Sequence, residues 1–225
     1  MVGAMTRLIL VRHGESQVTV NRVIGGPRTC SGLSELGRRQ AARLRDRWAE
    51  HPEFTADLVV SSAYPRAKET AEIVLPSLGA ATLQVEAGFG EHDPGPVCDG
   101  ITYQEYVDRY SPGPDSWHDD DPFATLFPEG ETIAAFHYRV GSALRSVTEP
   151  NAGATIAVFC HGGVIDAILR MALKTAATGG FQIRTLNTSI TELELVRRNT
   201  WCLHRYNDHA HLAGLPPETP RRNED

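Results

Sequence analysis

Thr6-Arg7-Leu8-Ile9-Leu10-Val11-Arg12-His13-Gly14-Glu15-Ser16 (residues 6–16) sets an aliphatic, β-branched run directly ahead of a guanidinium, an imidazole and a glycine. The stretch Thr6 to Val11, apolar at every position from Leu8 on, suits a strand buried on both faces, the kind that builds a parallel sheet. Arg12 and His13 then stand just past its carboxyl end, where open α/β sheets bind their ligands.

Two further segments repeat the pattern. Asp57 to Ser61 reads as a strand followed by Ser62-Ala63-Tyr64-Pro65-Arg66, with Pro65 suited to the first turn of a helix over Pro65–Leu75. Thr155 to Phe159 reads as a third strand, followed by His161-Gly162-Gly163 and a helix over Val164–Lys174. Between them, Ser34 is placed to cap a helix carrying Leu36, Ala41, Leu44 and Trp48 on one side. Glu131–Val147 shows Ile133, Phe136, Val140 and Leu144 at helical spacing. Ile190–Val196 and Trp201–Tyr206 read as strands joined by the polar turn Arg197–Thr200. Alternating strands and helices predict a three-layer α/β/α fold with a mostly parallel central sheet and helices on both faces. The expected organisation is one domain over residues 1–213, with a cap inserted over about 89–130 and carrying a short helix at Thr102–Arg109. A loop spans Ile24 to Gly32, and a flexible tail is expected over 214–225.

Composition is compatible with that reading. The chain has 225 residues, is 41% hydrophobic and carries a formal charge of −6, so neither a disordered chain nor a basic nucleic-acid-binding surface fits it. No apolar run approaches the roughly 20 residues needed to cross a bilayer. No membrane association is therefore expected, and the expected location is cytoplasmic. Cys30, Cys98, Cys160 and Cys202 are scattered without a Cys-x-x-Cys pair, which predicts free thiols.

If the strand assignments are right, Arg12, His13, Arg66 and His161 converge at one end of the sheet. A guanidinium offers a permanently charged fork of donors to phosphate oxygens. A neutral imidazole can attack phosphorus and form a covalent intermediate. A second imidazole, if cationic, steadies charge on the transferring group. No metal-ligand spacing lies near these residues, so neither a metal nor another cofactor is expected.

These residues also carry a resemblance. Leu8 to Ser16 is similar to the signature of the histidine phosphatase superfamily, the phosphoglycerate mutase-like proteins. Leu33-Ser34-Glu35-Leu36-Gly37-Arg38-Arg39-Gln40-Ala41 resembles its "L-(S/T)-x-x-G-x-x-Q-A" entry to a helix, and Ser61 to Ala71 its "S-S-x-x-x-R-A-x-x-T-A". Pro128 to Thr132, Phe159 to Gly163 and Asn207 to Leu212 fall in the same order. The resemblance implies that His13 is the nucleophile, that Arg12 and Arg66 clamp the phosphoryl oxygens, and that His161 completes the pocket as a charged donor, with Gly162 beside it. It also implies a carboxylic proton donor in the segment Glu91-His92-Asp93-Pro94-Gly95, with Glu91 the first candidate and Asp93 the reserve.

Two departures bear on function. Thr19 stands where members often have a phosphate-contacting Asn, and the nearest alternative is Asn21. Gly163 stands where mutases have the Asn of "H-G-N", which favours hydrolysis. The expected activity is that of a metal-independent phosphomonoesterase of the histidine acid phosphatase type, acting on a small phosphorylated metabolite; a homodimer is an open expectation. A phosphoglycerate mutase and a weakly active phospho-ligand-binding protein are the alternatives. Eleven acidic residues against one basic from Glu91 to Glu131 add the expectation of a field that repels a second phosphate.

Overall fold

The computed structural model describes residues 5–79, 82–110, 121–179, 181–197 and 199–219. Its centre is β1 (Thr6–Arg12), flanked by β4 (Thr155–Cys160), β2 (Leu58–Ser61) and β3 (Leu83–Val85) on one side and by β5 (Ile190–Arg197) and β6 (Thr200–Asp208) on the other. Among the described residues this makes a six-stranded sheet in the order β3-β2-β4-β1-β5-β6. The first four strands in that order are parallel, and the β1–β5 and β5–β6 pairs are antiparallel.

Strand side chains alternate between two cores. Leu8, Leu10, Val60, Ile156 and Val158 face α6 (Ile133–Thr148) and α7 (Gly162–Leu173), where Phe136, Val140, Leu144, Ile165 and Ile168 meet them. Ile9, Val11, Val59, Ala157 and Phe159 face α2 (Glu35–Glu50) and α3 (Pro65–Val74), against Leu44, Trp48, Ala71 and Val74. That is the three-layer arrangement, and it explains why β1 and β4 read as unbroken apolar runs. Short helices α1 (Gln17–Val20), α4 (Gly95–Cys98) and α5 (Tyr103–Tyr110) lie in the connections. Ile24, Cys98, Tyr106 and Phe127 form a third, smaller cluster that joins the loop after α1 to the expected cap. Residues 111–120 of that cap lie outside the described residues. The four cysteines are free thiols.

Element ends differ from expectation by one or two residues, as cap chemistry explains. Thr132 is the N-cap of α6, its hydroxyl accepting from the Ala135 N–H at 3.1 Å, so the helix starts at Ile133 and not Glu131. α7 begins at Gly162 and is stopped by Lys174, which takes a left-handed conformation (φ 57°). Of the expected tail, residues 214–219 are described: Thr219 N–H donates to Glu15 Oε1 at 2.9 Å, which brings them back to the loop after β1.

That loop is backed by close packing on α2. A Cβ placed on Gly37 would lie 2.0 Å from the Glu15 carbonyl oxygen, and one on Gly14 would lie 2.5 Å from the Gly37 carbonyl oxygen. Backbone therefore touches backbone, and a methyl group has nowhere to go. We expect Gly37→Ala to lower unfolding free energy by about 1–3 kcal/mol, the usual cost of overpacking, read as an earlier urea midpoint; an unchanged midpoint would show that the contact yields freely.

Candidate active site

Three parallel strands end side by side, and their last residues deliver the functional groups. Arg12 closes β1, and its N–H and carbonyl bond to Ser189 O (3.3 Å) and Thr188 N (2.9 Å) in the turn before β5. Because β5 runs antiparallel to β1, this preceding turn falls at the same end of the sheet as the carboxyl ends of β1, β2 and β4. Arg66 sits in the first turn of α3 after β2, and His161 is the N-cap residue of α7 after β4. The expected convergence is present: Arg12, His13, Arg66 and His161 are respectively 3%, 4%, 4% and 0% exposed.

The tautomer of His13 follows from its partners. Nδ1 lies 2.6 Å from the Gly14 carbonyl, which can only accept, so Nδ1 carries the proton. The Nε2 lone pair is then free, and it accepts from Arg66 Nε at 3.1 Å. Burial first, then the charges of Arg66 and Arg12, holds His13 well below the ordinary histidine range. His161 is held down in the same way by burial, Arg66 and His13. That direction is opposite to the one a charged donor needs, so the expected charge on His161 calls for a partner of opposite sign. Its Nε2 lies 2.8 Å from Ser62 Oγ, and its Nδ1 is buried without a partner. The His13 and His161 rings meet edge-on, with centroids 5.0 Å apart.

Arg66 donates through Nη1 to the Gly25 carbonyl at 3.3 Å and stacks over the Tyr64 ring at 4.7 Å. Arg12 donates through Nη1 to the Thr185 carbonyl, while its Nε, beside Gly162, is buried and has no partner among the described residues. Glu91 reaches the same end of the sheet. Its Oε2 accepts from the Gly163 N–H at 3.2 Å and its Oε1 from the His92 N–H at 3.1 Å. A Cβ on Gly163 would fall 2.3 Å from that Oε1, so glycine leaves the carboxylate its place.

Other candidates lie elsewhere. Asp93 accepts from the Gly95 N–H and approaches Arg28 at 3.7 Å, on a 42% exposed side chain. Asn21 is exposed at the end of α1, accepting from Gln17 Nε2 at 3.2 Å, with no described contact to the cluster. Thr19 Oγ1 pairs with Ser16 Oγ at 2.9 Å.

Several of the acidic residues counted toward the expected repelling field have structural partners. Asp99 has no exposed side-chain surface and accepts from the Gly26 and Arg28 N–H groups and Thr29 Oγ1. Glu131 pairs with Arg139 at 2.7 Å, and Glu105 caps its own helix through Thr102. These carboxylates are committed to holding loops together; Asp115, Asp119 and Asp120 lie outside the described residues.

Sequence reading missed the groups that support the site. Asn187 Nδ2 donates to the His13 carbonyl at 2.7 Å, Thr70 Oγ1 accepts from the Gly14 N–H at 3.1 Å, and Gln40 Oε1 from the Glu15 N–H at 2.8 Å. Thr70 and Gln40 stand inside quoted motifs and could have been found there. Asn187 has no such signal.

Two imidazoles and two guanidiniums lie buried together, opposite one carboxylate, at the carboxyl edge of the sheet, a donor set suited to a phosphoryl group. The profile of the histidine phosphatase superfamily (branch 1) matches residues 8–209, and the chain belongs to that family. It is 28% identical over 215 residues to the uncharacterized phosphatase PhoE of Bacillus subtilis (strain 168), covering 94% of this chain and 99% of that protein. It is 25% identical to a metal-independent phosphoserine phosphatase of Arabidopsis thaliana, covering 94% and 85%. The solved structure of Bacillus stearothermophilus YhfR superimposes with a TM-score of 0.79 at 28% identity, covering 92% of this chain and 99% of that one. Among the described residues, no helix is long and apolar enough to cross a membrane, and no group of three or more His, Cys, Asp or Glu could hold a metal ion.

The buried histidines set a pH dependence of stability. His13, His92, His161 and His211 all have lowered values, each chiefly through burial, His211 to about 4. Below the unfolded value of about 6.5 the unfolded chain takes up more protons, so stability is lost as pH falls and regained as it rises. Unfolding free energy in urea should drop between pH 7 and pH 5, by up to about 1.4 kcal/mol per pH unit for each such histidine. His211→Gln should flatten the slope. A flat profile in the native protein would contradict the burial of these rings.

Proposed function

We propose that the chain is a metal-independent phosphatase that hydrolyses a small phosphorylated metabolite through a phosphohistidine on His13. The observation that carries this reading is the His13 tautomer: Nδ1–H fixed on the Gly14 carbonyl leaves the Nε2 lone pair as a nucleophile among two guanidiniums. Phosphate oxygens displace Nε2 as the partner of Arg66 Nε and engage the unpaired Nε of Arg12. Nε2 then attacks phosphorus while protonated Glu91 gives its proton to the leaving oxygen. Water attacks the phosphohistidine in the second half, losing its proton to the Glu91 carboxylate. The arriving phosphate charge raises the His161 value, so this ring takes up a proton and donates to the phosphoryl group where it was neutral before.

The relatives of named activity support a phosphatase, phosphoserine being the substrate named for the Arabidopsis protein. Relatives named as probable phosphoglycerate mutases also match, at 26% identity for that of Klebsiella pneumoniae. The Gly163 position supports hydrolysis over mutase chemistry, because the Glu91 carboxylate fills the space that a larger side chain there would need.

His13→Ala should abolish turnover together with the acid-labile, base-stable phosphate trapped by quenching. A phosphoenzyme that survives in His13→Ala would move the nucleophile elsewhere. Glu91→Gln should lower kcat on alkyl phosphates by about 10²–10⁴-fold, the usual contribution of a general acid, and far less on p-nitrophenyl phosphate, whose leaving group needs little protonation. Equal losses on both substrates would take the proton donor's role away from Glu91.

A further inference from the structure

Residues 214–219 bring a carboxylate to the phosphate pocket. Past a 3-10 turn at Ala210–Leu212, the chain passes α2, with Leu215 beside Arg39, Ala42 and Arg43, and reaches the turn before β5. There Glu218 Oε1 accepts the Asn187 backbone N–H, and Glu218 Oε2 stands 3.7 Å from Arg12 Nη1. Thr219 N–H donates to Glu15 Oε1 at 2.9 Å, which fixes the far side of the segment to the loop after β1. Asn187 in turn holds the His13 carbonyl through its side chain at 2.7 Å.

Which edge of Arg12 the carboxylate meets decides its role. Nη1 is already committed to the Thr185 carbonyl, and it is Nη1 that Glu218 approaches. Nε lies at the start of α7 beside Gly162, buried and unpartnered. The fork is therefore held on one edge by Thr185 and Glu218 and left open on the other. A guanidinium gains most as a phosphate clamp when its plane is fixed before the ligand arrives. A carboxylate nearby also keeps that guanidinium charged against burial.

We infer that Glu218 is a positioning residue for the phosphate clamp: the segment 214–219 fixes the Nη1 edge of Arg12 so that its Nε edge faces the phosphoryl group. This inference rests on the phosphatase reading above. It makes the segment a working part of the pocket, and it assigns Asn187 as the joint between that segment and the backbone of His13.

The test is inhibition by inorganic phosphate and by orthovanadate, with KM and kcat on p-nitrophenyl phosphate, for Glu218→Ala, Glu218→Gln and a chain ending at Ala213, beside Arg12→Ala as reference. Glu218→Ala and the shortened chain should raise both inhibition constants about tenfold, the scale of one charge-assisted hydrogen bond, and raise KM more than they lower kcat. Glu218→Gln retains an acceptor for Asn187 and should recover most of the loss. Weakening without a change in the thermal midpoint separates positioning from general stability. If Glu218→Ala and Glu218→Gln both tighten phosphate, the carboxylate competes with the ligand and the inference is overturned. It is equally overturned if Arg12→Ala weakens phosphate while no Glu218 variant does. If Arg12→Ala itself leaves phosphate inhibition unchanged, the pocket assignment fails, and the positioning role with it.

Discussion

Burying Arg12 at the last residue of the central strand is the constraint on which the site depends. An unpaired guanidinium out of water is costly, so every group that can face it is held in place. The Arg12 main chain is tied on both sides to the turn Thr188–Ser189, and its Nη1 is tied to Thr185 of the same turn. That turn reaches Arg12 only because β5 is antiparallel to β1 and starts where β1 ends. The antiparallel addition to an otherwise parallel sheet is thus what lets a buried cation be built at its carboxyl edge.

The same burial sets the chemistry of the two imidazoles. Each is pushed toward neutrality by desolvation and by the neighbouring guanidiniums, which suits an attacking Nε2. A dianion entering between two guanidiniums reverses the local field, and proton affinity then rises most where charge accumulates. One geometry therefore suits both the neutral nucleophile and the cationic donor of the proposed reaction. This ordering is possible because His13 Nδ1 is occupied by Gly14, whereas His161 Nδ1 is buried without a partner.

What the sequence revealed, and what it hid, follows from how each element is stabilised. β1 and β4 are buried on both faces through their middles, so Leu8–Val11 and Ile156–Phe159 are apolar at every position, and they were legible. β3 is three residues long and largely exposed after Leu83, so neither its length nor its pattern marks it as a strand; the Val59–Leu83 register with β2 creates it. Arg12, His13, Arg66 and His161 were legible as candidates because they follow strands with clear apolar patterns, whereas Glu91 was reached only through the resemblance. Asn187 and Thr185 were not, since they act through single bonds to main chain or through their own carbonyls, which any residue type can supply. A count of acidic residues in the cap is blind to partners for a related reason: Asp99 is ordered by N–H groups and Glu131 by Arg139, contacts that a sum of charges cannot show.

Glu91 illustrates how the framework confers a role that composition does not. Glu91 and Asp93 lie two residues apart, yet Glu91 meets the first turn of α7 while Asp93 turns back to its own loop and Arg28. The difference is made by Arg139 of α6, which donates to the carbonyls of Gly88, Gly90 and Glu91 and so fixes the path of the chain through this turn. Its guanidinium is in turn held by Glu131, just ahead of the same helix. With the backbone held there, the Glu91 carboxylate lies against the Gly163 N–H, and the missing side chain of Gly163 leaves it that space. The place of the proposed proton donor is thus set by an arginine 48 residues away in sequence, through main-chain carbonyls that no motif records.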